Sequence, residues 1–176
     1  MTRQDPVRPR ATSAEPRWLD PEEQRTWRSF MDASRRLFDT VDRELQRDSG
    51  IPHTYYEILV RLSEAPGRTL RMSELASAST SSRSRLSHAV SRLEELRWIR
   101  REHCPSDRRG LLAVLTDEGF AALEAAAPGH VEAVRKYLLD PLTGAQVAAL
   151  REISDRWRER LDSADIADCN LGDTAR

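Results

Sequence analysis

Residues 73–116 read SELASASTSSRSRLSHAVSRLEELRWIRREHCPSDRRGLLAVLT. The stretch divides into a short helix over 73–78, a Ser-rich turn, a basic amphipathic helix over 82–97, and two strands at about 98–103 and 111–116. The strands are joined by Cys104-Pro105-Ser106-Asp107-Arg108-Arg109-Gly110, a turn rich in Pro, Gly and arginine. Within 82–97, Leu86, Ala89, Val90, Leu93 and Leu96 recur at spacings of three and four and mark the packed face. Helix, turn, helix and hairpin in that order can set one helix in a DNA major groove and an arginine-tipped hairpin against the neighbouring groove.

The opposite face of the same helix carries Arg83, Ser84, Ser87, His88 and Ser91. A face that only meets water more often shows Glu/Lys pairs. Small hydroxyls instead let the helix backbone come close to a groove floor, while Arg83 and His88 can reach guanine or phosphate edges. Ser82 is the expected N-cap, which aims the positive helix end at phosphates. Arg85 and Arg92 sit at the edge of the face, as phosphate clamps or as ion-pair partners of Glu94 and Glu95. At the hairpin tip, Arg108 and Arg109 suit a narrow minor groove, where negative potential is strongest. A free Asp107 would repel phosphate, so its expected role is to hold an arginine in position.

The formal net charge of the 176-residue chain is −1, which alone argues against a nucleic-acid partner. The distribution reverses that argument: residues 66–115 hold ten arginines and five acids, and residues 116–162 hold six bases and nine acids. Lys136 is the only lysine. The arginine preference fits bidentate contacts to phosphate or guanine, but a GC-rich genome gives the same bias.

Outside this stretch, residues 1–17 are rich in Pro, Arg, Ser and Thr and are expected to form a disordered arm, as is the tail 163–176. Asp20-Pro21-Glu22-Glu23 opens a long helix. Trp27, Phe30, Met31, Leu37, Phe38, Val41 and Leu45 lie on its stripe, and it ends near Gly50-Ile51-Pro52. A second helix covers roughly 53–64. Thr116-Asp117-Glu118-Gly119 caps another, which runs to about Leu139 unless Pro128-Gly129 bends it. Thr143 opens the last, through Leu161. The expected fold is mainly α with a small β-hairpin wing: a winged helix-turn-helix at 51–116, flanked by helical regions at 18–50 and 117–162. Those flanking stripes exceed what a small wing domain covers, so they are expected to pair in a homodimer. Two cysteines form neither a disulfide framework nor a zinc spacing, and neither a signal peptide nor a membrane span is visible, so a cytoplasmic protein is expected.

The segment 73–119 resembles the MarR family of bacterial transcriptional regulators. The matching residues are SELA at 73–76, SRLSHAVSRLE at 84–94 and the pair DRRG and LTDEG within 107–119, and the helical layout matches over about 145 residues. The resemblance implies a homodimeric winged-helix protein on double-stranded DNA with a near-palindromic operator. It also implies repression relieved by a phenolic or other small ligand between the dimerisation and DNA-binding parts. Trp27, Phe30, His53, Tyr55 and Tyr56 are the candidate lining of such an aromatic-ligand pocket, or else ordinary core packing. A constitutive or architectural DNA-binding protein without a ligand is the alternative. Two departures from the family pattern stand out. Arg97 occupies the place where the family often ends its recognition helix with Gly, and no cysteine lies near the first helix; Cys104 reads as a small strand-end residue. No metal or cofactor is expected, because His53, His88, His103, Cys104 and His130 show no ligating spacing. No enzyme is expected either, since the chain has no phosphate loop or nucleophile motif.

Overall fold

Three antiparallel strands in the order β1-β3-β2 form the sheet of the computed structural model: β1 Thr69–Arg71, β2 Ile99–Cys104 and β3 Asp107–Leu115. The structure describes residues 16–78, 83–104 and 107–173, with the backbone alone at 77, 78, 83, 108, 109 and 164–173. The hairpin pairs Ile99 with Leu115 and Arg101 with Ala113, and its register shifts between His103 and Cys104. The third strand was not foreseen. Thr69-Leu70-Arg71 is too short to show alternation, and it is extended because β3 supplies its ladder partners, Thr69 opposite Val114 and Arg71 opposite Leu112.

Among the described residues six α-helices accompany the sheet: α1 Pro21–Ser49, α2 His53–Glu64, α3 Met72–Ala78, α4 Arg83–Glu95, α5 Asp117–Val134 and α6 Gly144–Asp173. The described residues fall into two compact units divided after Arg36, so α1 begins in one and ends in the other. In the first unit, Asp20 Oδ1 accepts the N–H groups of Glu22 and Glu23 at 2.8 Å, and Glu23 Oε2 accepts the Asp20 N–H at 2.9 Å. This reciprocal cap fixes where α1 starts. Trp27 and Phe30, with ring centroids 6.4 Å apart, remain 54% and 41% exposed.

In the second unit, Leu59, Leu62, Leu75, Val90, Leu93 and Ala113 are fully buried where α2, α3 and α4 meet the sheet. Thr116 closes this core. Its Oγ1 lies 2.7 Å from the Arg97 carbonyl oxygen and 3.1 Å from that of Trp98, and it accepts the Gly119 N–H at 3.0 Å. One hydroxyl thus caps α5 and ties it to the segment after α4. Helix α5 carries Pro128 within it and widens at Arg135–Leu139 into a π turn, closed by the Asp140 N–H donating to the Arg135 carbonyl at 2.8 Å. The widening begins seven residues after Pro128, where the sequence allows a bend.

At the other end, α6 continues to Asp173 where the sequence reading stopped the helix at Leu161 and expected a disordered tail from 163. Residues 162–171 contain no Gly or Pro to end a helix. The expected arm at 1–17 lies, up to residue 15, outside the described residues. Among the described residues no helix is long and apolar enough to cross a membrane.

Candidate nucleic-acid interface

Helix α4 turns Leu86, Ala89, Val90 and Leu93 inward, each at most 5% exposed, and leaves Ser84, Arg85, Ser87 and His88 exposed. The 3.6-residue period produces this division, and it is the one the sequence implied for those residues. Leu96 departs from it. Expected on the packed face, it is 46% exposed, because α4 ends at Glu95 and the chain turns out of the helix before Leu96 can follow the stripe.

The ending itself accounts for Arg97. Its φ is +61°, the Trp98 N–H donates to the Leu93 carbonyl and the Arg97 N–H to the Glu94 carbonyl, both at 2.9 Å. That is the left-handed closure usually made by glycine, here imposed on an arginine. Arg97→Gly should therefore stabilise the free protein by about 1 kcal/mol. The melting midpoint at fixed protein concentration should rise by about 2–4 °C; a fall would show that the Arg97 side chain makes up for its backbone.

Among the edge arginines, Arg92 pairs with Glu95. Ser82 lies outside the described residues, as do the side chains of Arg83, Arg108 and Arg109. The backbone places Arg83 at the start of α4, and Arg108 and Arg109 at the start of β3, beside the hairpin tip. Asp107 does engage an arginine: its Oδ2 lies 3.5 Å from Nη1 of Arg71 on β1. The tip end of β3 is thereby joined to the short strand β1.

Arg101, one of the ten arginines of residues 66–115, reaches α4. Its Nη2 donates to Ser91 Oγ at 2.7 Å, and its Nε lies 3.6 Å from Glu94 Oε2. Strand alternation could have identified it, since it shares a side with the buried Ile99. Cys104, 8% exposed, ends β2 as a small strand-end residue would.

The candidate pocket residues divide. His53 and Tyr56 come together on α2, where the His130 ring of α5 lies 4.4 Å from the Tyr56 ring and 5.6 Å from that of His53. Tyr56 is itself a core residue, 7% exposed, and Tyr55 packs against that core. Trp27 and Phe30 belong to the first unit. The cavity beside His53 and His130 measures about 120 Å³, with Leu37, Phe38, Val41, Val134 and Leu138 completing its walls. Its Asp42 neighbour holds the end of α2, Oδ1 accepting the His53 N–H at 2.7 Å.

Burial, and then the adjacent His53, push the His130 imidazole below the ordinary histidine value near 6.5, and burial pushes the Tyr56 phenol up. His130 Nδ1 is buried without a hydrogen-bond partner. A histidine held low in the fold takes up protons more readily when unfolded. Its neutral form supports the fold above the ordinary value, and that support is lost as pH falls through the folded value. The melting midpoint should thus drop as pH falls below the ordinary histidine value near 6.5, and His130→Phe should flatten the drop; an unchanged profile would exclude His130 as its source. No cluster of three or more metal-ligating side chains occurs among the described residues.

Comparison with known proteins places this geometry. A family model described as MarR family matches residues 49–110. Sco3205, a MarR family transcriptional regulator from Streptomyces coelicolor whose crystal structure is in complex with DNA, is 56% identical over 84% of this chain and 92% of its own, with a TM-score of 0.80. AbsC, a MarR family transcriptional regulator of the same organism, is 41% identical over 84% of this chain and 99% of its own, with a TM-score of 0.78. The HTH-type transcriptional regulator PecS of Dickeya dadantii is 34% identical over 89 residues; this chain spans about half of its length, 53%. The transcriptional repressor MprA of Escherichia coli is 28% identical over 119 residues, 68% of this chain and 67% of its own.

Proposed function

This chain belongs to the MarR family of transcriptional regulators, and from that premise we propose that it is a homodimeric repressor that reads a near-palindromic operator and releases it when a small ligand binds. The observation that carries the DNA-reading part is the exposed face of α4, where Ser84, Arg85, Ser87 and His88 meet solvent above a fully packed inner face. The similarity to Sco3205, solved with DNA, supports it. In this reading residues 51–116 bind DNA, with Ser82, Arg83, Ser84, Arg85, Ser87, His88, Arg92, Arg108 and Arg109 at the interface and Asp107 steadying the wing.

The homodimer rests on apolar surface. Trp18, Leu19, Trp27, Phe30 and Phe38 around and on α1 are each at least 41% exposed, as are Ile153, Trp157 and Leu161 on α6. A second copy covers such stripes most economically, and a two-fold pair presents two recognition helices to a palindrome. Repression follows the name of MprA.

The ligand is supported by the His53–His130 cavity, although its 120 Å³ is tight for an aromatic ring; a cavity of about 150 Å³ accepts one benzene. That tightness favours the second reading, a DNA-binding protein without a ligand. Addition of phenols to the preformed DNA complex separates the two: release supports the first, indifference the second.

Selection of duplexes from random-sequence DNA by the purified protein tests the main reading, which fails if no palindromic site emerges. Arg83→Ala should relax choice at one base position per half-site, at a cost of about 1–3 kcal/mol on the preferred base. A uniform loss across all sequences would make Arg83 a phosphate clamp instead.

A further inference from the structure

We propose that Arg101 is a positioning residue that locks the wing to the recognition helix and so governs operator choice without reading a base itself. The proposal rests on the DNA-binding reading above. Arg101 sits on β2, two residues beyond the buried Ile99, and its side chain is only 27% exposed. Its Nη2 donates to Ser91 Oγ at 2.7 Å and lies 3.4 Å from the Ser87 carbonyl oxygen. Its Nε lies 3.6 Å from Glu94 Oε2, and its backbone N–H donates to Glu94 Oε1 at 3.2 Å. Ser91 completes the link by donating its own hydroxyl to the Ser87 carbonyl at 3.0 Å.

Residues 87, 91 and 94 lie on successive turns of α4, along the side that meets β2. One guanidinium therefore holds the helix at several points. A planar fork with several donors fixes an angle between two elements, where an ammonium group would fix only a distance. The neighbouring Arg100 makes no such link: it is exposed and pairs with Glu102 on its own strand at 2.6 Å.

The consequence follows from the two reading heads. α4 and the wing tip address adjacent grooves, and both dock fully only if their relative angle matches the duplex. Loosening the lock lets either head bind while the other lies out of place. Contacts that need both heads in register are lost, whereas general attraction to phosphate, which needs no register, is kept. Ser91, on the solvent side of α4 by sequence, serves the lock rather than the groove.

The test uses the full-length protein and two probes: a duplex that the wild type selects from random-sequence DNA, and an unrelated duplex of equal length. Arg101→Met and Ser91→Ala should each weaken binding to the selected duplex about tenfold, the scale of one well-placed base contact. Affinity for the unrelated duplex and the salt slope should stay unchanged. The double variant should be no weaker than either single, since both break one link, and Arg101→Lys should recover part of the loss. Equal losses on both duplexes with a shallower salt slope would overturn the proposal by making Arg101 a phosphate contact. Additive losses, or no loss, would overturn it as well. Should Arg101→Met fail to fold, Ser91→Ala removes the acceptor alone and decides the matter by the same criteria. If the wild type selects no duplex, the DNA-binding reading fails, and that result is distinct from failure of the lock.

Discussion

Gly119→Ala should strongly destabilise the protein, by about 3 kcal/mol or more, placing it among the costliest single substitutions available here. A Cβ built on Gly119 would lie 2.1 Å from the Trp98 carbonyl oxygen and 2.9 Å from Leu115 Cδ1. The oxygen belongs to backbone and cannot rotate aside as a side chain would. It also accepts the Thr116 N–H at 3.0 Å, so moving it breaks the joint between β3 and the segment after α4. Gly119 is needed for closeness of approach, and its own N–H sits on the Thr116 cap. Gly144 supplies the control: a Cβ there meets nothing within 4 Å, so Gly144→Ala should be neutral or stabilise by up to about 1 kcal/mol. Urea unfolding of the two variants at one protein concentration checks the contrast, and a Gly119→Ala protein as stable as wild type would show that the joint can slide.

The same joint explains why part of this molecule could be read from its sequence. Leu-Thr-Asp-Glu-Gly is a local motif: cap, acids on the helix N-terminus and the close-contact glycine lie within five residues, so their physics is visible in a string. The start of α1 was legible for the same reason, through the Asp20–Glu23 cap. What escaped depends on partners distant in the chain. β1 is a strand only because β3 lies beside it, and the Arg71–Asp107 pair joins residues 36 positions apart in the chain. Leu96 obeyed the helical period in the sequence and left the core because the helix stopped one residue earlier. The pocket expectation met the same limit. The rings of His53 and Tyr56 each meet that of His130, which arrives from α5, 74 or more residues further along the chain.

The largest expected loss of DNA binding belongs to the wing. Arg108→Ala combined with Arg109→Ala should weaken binding to the selected duplex about a hundredfold at moderate salt, as two guanidinium contacts of about 1–3 kcal/mol each disappear. For every phosphate contact among them, the slope of log affinity against log salt should become shallower by about 0.9. A loss of affinity with the slope unchanged would instead indicate a minor-groove base-edge contact. Both residues begin β3 beside the tip, away from the packed segment Ala113–Leu115, so the double variant should melt like the wild type. Asp107→Ala then distinguishes orientation from repulsion. Its carboxylate adds negative charge close to where a phosphate would lie, so simple removal ought to strengthen binding. If it instead holds the wing through Arg71, removal should weaken binding, because the adjoining tip arginines lose the tie to β1. Stronger binding by Asp107→Ala would leave the Arg71 pair without a part in recognition, and a double-arginine variant that binds as the wild type does would remove the wing from the interface altogether.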